Sequence, residues 1–305
     1  MKVFITGGTG FVGSGLVEAF SAPGREILLL TRAARGKKTP PGVRLVEGDP
    51  VRPGAWEKEA AGAEVVVNLA GASIFQRWNP AIKKEIMESR VRTTRRLVEV
   101  MSAAPLAGRV FLSASAVGWY GPRADEELDE SCSPGGDFLA QVAGAWEDEA
   151  FKAREAGART AVMRFGVVLE PRGGALGKML PLFRLGLGGR LGGGRQWFSW
   201  IHRADLVRAA VFLAENRDAQ GVFNFTSPQP VRNSEFTATL ARVLGRPAFL
   251  PVPAFALKLV LGEFSETLLK GQKVLPRGLF DLGFKFTYPD LEAALRAGLG
   301  PGKTD

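Results

Sequence analysis

At 305 residues the chain is about twice the length of a typical domain, which points to one large α/β unit or to two lobes. Apolar residues make up 46% and charged residues 23%, an ordinary globular balance that excludes disorder, collagen and coiled coil. Forty basic against 31 acidic residues leave a net charge of +9, which favours anionic ligands, although a solvated arginine-rich surface explains it more simply.

In the first half, short apolar runs alternate with helical spacing, the pattern of βαβ units and a parallel sheet. Strands are expected at Lys2–Ile5, Glu26–Leu30, Arg44–Val46, Glu64–Leu69, Arg109–Leu112 and Thr160–Phe165. Between them Phe11, Val12, Leu16, Val17 and Phe20 mark one helix. A longer one carries Ile82, Ile86, Val91, Leu97, Val98 and Met101 and is opened by Asn79 as cap and Pro80 in the first turn. Right-handed crossovers then give a doubly wound parallel sheet.

After Phe165 the alternation loosens. Residues 171–174 and 186–194 read as loops, and a helix at His202–Ala214 with a strand at Val222–Phe225 returns to the sheet. Short helices follow at Asn233–Leu244 and Pro289–Ala297. The expected division is residues 1–165 as the dinucleotide-binding domain, with 203–226 rejoining its sheet, and residues 166–305 as a smaller substrate lobe. The single cysteine, Cys132, allows no internal disulfide and has no histidine beside it to make it a nucleophile. No run approaches the ~18 apolar residues of a membrane helix, and no signal-peptide core is present, so a cytoplasmic location without a membrane partner is expected. No histidine, cysteine and carboxylate cluster has metal-ligand spacing, so no metal is expected.

The strongest motif is Lys2 to Gly13, a strand running into Thr6-Gly7-Gly8-Thr9-Gly10-Phe11-Val12-Gly13 and then a helix. Gly7 allows the tight turn, Gly10 the approach of phosphates, and Gly13 the packing of helix on strand, so a pyrophosphate can sit on the helix N-terminus. An NAD site usually ends its second strand in a carboxylate for the ribose hydroxyls, and here the position holds Thr31-Arg32. Arg32, backed by Arg35, Lys37 and Lys38, suits a 2′-phosphate instead, so NADP is the expected cofactor. Asp49 after the third strand is expected to accept from an adenine amino group, or simply to form a turn before Pro50. Asn68-Leu69-Ala70-Gly71 after the fourth brings small residues to the cofactor.

Together with Ser113-Ala114-Ser115-Ala116-Val117, Tyr120-Gly121-Pro122 and Trp200-Ile201-His202 through Asp205-Leu206, these motifs resemble the extended short-chain dehydrogenase/reductases, the nucleoside-diphosphate-sugar epimerase group. Phe138 to Val142, Phe198 to His202 and Gly271 to Pro276 resemble more narrowly its atypical "epimerase family protein" branch, whose tail is a domain of unassigned function. The resemblance implies a Rossmann-type fold over nearly the whole chain. It gives Ser115 the role of the serine that hydrogen-bonds the reacting oxygen and puts Ser113 beside the cofactor. The family's Tyr-x-x-x-Lys pair has no match, because Phe138 or Leu139 fills the tyrosine slot and Val142 or Ala143 the lysine slot. Tyr120 is the first substitute for the missing proton donor, against a structural role before Gly-Pro. Arg90 replaces an asparagine usual in relatives and could polarise a substrate oxygen, or face solvent.

His202 is the only histidine; the resemblance puts it in the substrate pocket, and its apolar neighbours suggest a structural residue. Arg184, Arg190 and Arg195, set among glycines and flanked by Trp197 and Trp200, are expected to form a mobile loop that grips a phosphate-bearing substrate. The expected function is an NADP-dependent oxidoreductase or epimerase acting on a nucleotide sugar or similar small polar molecule. The alternative is a non-catalytic NADP-binding sensor. No module for specific nucleic-acid binding is recognised, and a homodimer is the assembly allowed for.

Overall fold

The computed structural model describes residues 1–34 and 39–300. Its first half runs β1 (Lys2–Thr6), α1 (Phe11–Phe20), β2 (Glu26–Thr31), β3 (Val43–Glu47), α2 (Trp56–Ala61), β4 (Val65–Asn68), α3 (Pro80–Ser102), β5 (Val110–Ala116), β6 (Glu127–Leu128), α4 (Phe138–Glu155) and β7 (Arg159–Phe165). There follow β8 (Val167–Leu169), α5 (Gly174–Arg184), β9 (Trp197–Phe198), β10 (Trp200–His202), α6 (Arg203–Glu215), β11 (Gly221–Phe225) and β12 (Val231–Arg232). The tail holds α7 (Asn233–Leu244), α8 (Ala254–Leu261), α9 (Phe264–Leu269), β13 (Lys273–Val274), α10 (Arg277–Asp281) and α11 (Leu291–Leu299).

Seven strands form one parallel sheet in the order β11-β7-β5-β4-β1-β2-β3. Alternate residues of each strand enter two cores. Val3, Ile5, Ile27 and Leu112 pack with α1 and α6, while Phe4, Leu28, Val66 and Phe111 pack with α2, α3 and α4. Burial on both faces is why these strands read as unbroken apolar runs. The chain leaves β1 toward one side of the sheet and reaches β4 on the other. The carboxyl ends of β1 and β4 therefore flank a crevice, the usual ligand site of such sheets. A third core, with Leu176, Leu180, Phe183, Trp200, Phe236, Leu240 and Leu295, joins α5, α7 and α11 beyond that end.

Asn79 caps α3 by accepting from the Ile82 amide at 2.9 Å, as its sequence suggested. The tail helix begins at Leu291 rather than Pro289, because Asp290 accepts from the Ala293 amide and so becomes the cap. The glycine stretch 186–194 differs from expectation more deeply. Gly188 lies against Phe183, and a Cβ on Gly189 would come 1.6 Å from the Leu250 carbonyl oxygen. These glycines let two chain segments touch, and the close packing holds the loop in place. No helix among the described residues is long and apolar enough to cross a membrane.

Candidate functional site

A cavity of about 700 Å³ opens at the carboxyl ends of β1, β2, β3 and β4 and is closed on one side by α3. Gly7, Thr9, Arg32, Asp49, Ala70 and Gly71 line it, six of the residues the sequence assigned to a cofactor. Gly7 takes φ +68, and a Cβ there would meet the Leu69 and Ala70 backbone at 2.8 to 2.9 Å. At Gly13 a Cβ would fall 2.3 Å from the Gly7 carbonyl oxygen, so only glycine lets α1 start this close to the turn. Gly10 caps α1 without a side chain, which leaves the amides of the first turn aimed outward from the dipole's positive end. A diphosphate fits this cradle.

Thr6 donates to Asn68 Oδ1 at 2.8 Å and Asn68 Nδ2 donates to Thr94 at 2.8 Å, a buried chain that ties β1, β4 and α3 together under the cavity. Arg32 is exposed at the end of β2 with no ion pair among the described residues; Arg35, Lys37 and Lys38 lie outside them. Asp49 lines the cavity and also accepts from the Val51 amide at 3.1 Å, so its turn-forming role is real alongside any contact with a base. Phe11 packs beneath Gly173 and Gly174, and Arg203 donates to the Phe11 carbonyl at 2.9 Å, which joins α5 and α6 to the glycine turn. Val12 and Leu69 are half-buried around that turn. Ser113 is fully buried with its hydroxyl 3.4 Å from the Ala114 carbonyl and is not among the residues that line the cavity.

Tyr120 is corrected as well. It is fully buried, donates to Asn224 Oδ1 at 2.8 Å and accepts from Arg164 Nη1 at 3.0 Å, so its proton is held inside the protein. Burial pushes its phenol up to about 12. Arg164 also donates twice to Glu147, at 2.8 and 2.7 Å, and lies 3.5 Å from the Trp119 ring centre. Burial lowers the Arg164 pKa, but the hydrogen bonds and charge of Glu147 outweigh it and leave it raised. Ser115 donates to Glu147 at 2.5 Å, so the serine and tyrosine of the motif end in one buried network built on an ion pair. Sequence reading missed that pair. Its available signal was an arginine inside the apolar run Thr160–Phe165.

Arg90 turns inward from α3. Its guanidinium carbon lies 3.0 Å from where a Gly71 Cβ would be and 5.2 Å from the Trp146 ring centre, and Nη1 donates to the Ile86 carbonyl at 3.0 Å. Burial pushes it down to about 10, and it makes no ion pair among the described residues. Trp146 Nε1, also buried, has no hydrogen-bond partner among the described residues. Leu139 touches Gly118 through the position a Cβ would take, so the tyrosine slot is apolar in space as well as in sequence.

The chain matches the model of the "NAD dependent epimerase/dehydratase family" over residues 3–225. It belongs to that family. Residues 252–297 match a "Domain of unknown function (DUF1731)". An Arabidopsis thaliana relative, "Epimerase family protein SDR39U1 homolog, chloroplastic", is 44% identical over 97% of this chain and 86% of its own length. The Bacillus subtilis "Epimerase family protein YfhF" is 39% identical over the full length of both. The crystal structure of human epimerase family protein SDR39U1 with NADPH superposes with a TM-score of 0.85 at 36% identity, covering 98% of this chain and 99% of that one. A nucleoside-diphosphate sugar epimerase from Corynebacterium glutamicum gives 0.78 at 35% identity, covering 98% of this chain and 58% of that one.

Ser115 and Arg90 are not among the residues that line the cavity, and the remaining site residues also fall outside it. Trp200 is fully buried and donates to the Gln229 carbonyl at 3.0 Å, which leaves no face for a substrate. His202 Nδ1 accepts from the Ala204 amide at 3.2 Å as the cap of α6, its ring centre lies 4.2 Å from that of Tyr288, and burial lowers its pKa. Arg184, Arg190 and Arg195 are exposed and make no ion pair among the described residues. Arg184 stands at the far end of α5, roughly 15 Å along the helix from the Gly174 end that touches Phe11. None of the three reaches the cavity, so the expected grip on a phosphate is not assembled there.

Proposed function

We propose that the chain is an NADP(H)-dependent oxidoreductase or epimerase-like enzyme acting on a nucleotide sugar or a similar small polar substrate. The observation that carries the cofactor choice is Arg32, a cation without an ion pair among the described residues, on the rim of the cavity where a carboxylate would accept from ribose hydroxyls. NADPH in the related human structure and the likeness to a nucleoside-diphosphate sugar epimerase from Corynebacterium support the reading. In it, the Gly7–Gly13 turn holds the diphosphate, Arg32 the 2′-phosphate and Asp49 the base. The nicotinamide supplies the hydride chemistry.

The chain's own contribution is electrostatic. Arg90, desolvated and without a carboxylate partner, stabilises negative charge developing on a reacting oxygen, as a preorganised cation does best in a low dielectric. Ser115 has given its proton to the hydrogen bond with Glu147 and keeps lone pairs with which to orient a substrate hydroxyl. With apolar residues in the tyrosine and lysine slots, water supplies the proton. A second reading, a cofactor sensor without turnover, draws on the same closed network, since both motif hydroxyls are engaged internally. Fluorescence titration of NADPH and NADH tests the cofactor. Arg32→Ala should weaken NADPH by about 10- to 100-fold, the worth of one or two charge-assisted hydrogen bonds, and leave NADH unchanged. Equal losses refute it. NADPH oxidation across a panel of nucleotide sugars and small carbonyls then separates enzyme from sensor, with Arg90→Met expected to abolish any turnover found.

A further inference from the structure

We propose that one face of the C-terminal lobe binds the surface of an anionic lipid bilayer. Its centre is α8, Ala-Phe-Ala-Leu-Lys-Leu-Val-Leu, an apolar helix in which no residue is buried. Phe255 and Leu259 are 75% and 73% exposed, where an ordinary short helix would bury such side chains against the core. The face continues beyond the helix. The Val252 amide donates to the Arg190 carbonyl and the Gly192 amide to the Val252 carbonyl, both at 2.9 Å, so the glycine loop runs beside the segment that leads into α8. These two segments carry Leu185 and Phe249, 72% and 74% exposed. Large apolar side chains exposed together mark an interaction surface.

Charge selects the partner. Neither residues 171–204 nor residues 236–262 contain a single aspartate or glutamate, although both supply the exposed side chains of this face. They do contain Arg184, Arg190, Arg246 and Lys258, none ion-paired among the described residues. Of the carboxylates that follow α8, Glu263 and Glu266 are engaged with Lys83 and Lys270. Exposed apolar side chains on segments that carry cations without an ion pair among the described residues match an anionic membrane interface, where the former enter the acyl boundary and the latter meet headgroups. A two-fold contact between copies of this face would instead bring the same cations together. The proposal departs from the sequence expectation of no membrane partner, which was drawn from the lack of a spanning helix; a contact on the bilayer surface needs none. It also gives a place to arginines that the cofactor cavity does not use.

The test is co-sedimentation of the full chain with vesicles of phosphatidylcholine alone or mixed equally with phosphatidylglycerol. The chain should partition onto the mixed vesicles and release as salt rises. Phe255→Ser with Leu259→Ser, both already in water, should abolish partitioning and leave NADPH affinity unchanged. Arg184→Ala with Arg190→Ala should weaken it about 30-fold, at about 1 kcal/mol for each cation near the headgroups. No binding, equal binding to both vesicles, or serine variants that bind like wild type would overturn the proposal. So would a dimer in size-exclusion chromatography that the serine variants dissolve, which would assign the face to a second copy.

Discussion

Tyr120→Phe separates a structural hydroxyl from a chemical one. The substitution keeps the ring, its edge contact with Trp119 at 5.1 Å and the guanidinium 5.0 Å from its centre. It removes one hydrogen bond to Asn224 and one from Arg164, which leaves a buried amide oxygen and a charged N–H without partners. Unsatisfied buried groups cost about 1–3 kcal/mol each, so the two together cost at least about 2 kcal/mol. For a chain of this size that lowers the melting midpoint by about 4 °C. NADPH affinity and any turnover should stay within about twofold of wild type. Alkaline titration adds a signature. The folded phenol lies at about 12 against an ordinary 10.0, so its contribution is full below pH 10 and is lost as pH rises toward 12. The stability advantage of wild type over the variant should therefore shrink across that window. Circular-dichroism melts, chemical denaturation and NADPH titration measure all three effects. A variant that melts like wild type but loses turnover tenfold would make the hydroxyl catalytic and refute the structural role.

Gly13→Ala places a methyl 2.3 Å from the Gly7 carbonyl oxygen and 2.5 Å from the Gly8 Cα, so the turn must open. NADPH affinity should fall at least about tenfold by fluorescence titration, and an unchanged affinity would show that the cofactor does not use this turn. His202→Asn retains a side-chain acceptor for the α6 cap while removing the titration. Because burial depresses the folded His202 pKa below 6.5, its contribution is present above that pH and lost as pH falls through the lower folded value. Urea denaturation should show wild type losing more stability than the variant on acidification, and parallel pH profiles would exclude His202 as the group responsible.

The glycine turn was legible because its meaning is local: strand, Gly7, Gly10, Gly13 and helix lie within a dozen residues, and backbone geometry alone assigns each one. Strand positions were legible for the same reason, since burial on both faces writes an apolar run into each. The buried network was not. Ser115 and Tyr120 carry family motifs, but their partners Glu147, Arg164 and Asn224 arrive from α4, β7 and β11, and nothing near the serine or tyrosine announces them. For His202 the apolar neighbours had already suggested a structural residue, while for Trp200 the motif pointed to the substrate. Their motif marks where the chain folds back over the sheet, and burial turns both inward. In the glycine loop, repeated glycine suggested mobility, whereas contact with Phe183 and the Leu250 backbone makes it a requirement of tight packing.

The return of the chain to the sheet bears on how this protein could be taken apart or recombined. β11 closes the sheet edge beside β7, and α6, which precedes it, is bound through Arg203 to the glycine turn at the other end of the sequence. A fragment cut at Phe165 would uncover Met163 and the aligned face of β7, and would free the cofactor turn from the arginine that braces it. A chimaera between relatives should therefore be spliced after Phe225, where the last sheet strand is complete. An exchange at that seam would carry a foreign tail with its α8 face, and it must keep the contacts that Leu279 and Phe284 make with the core of the sheet.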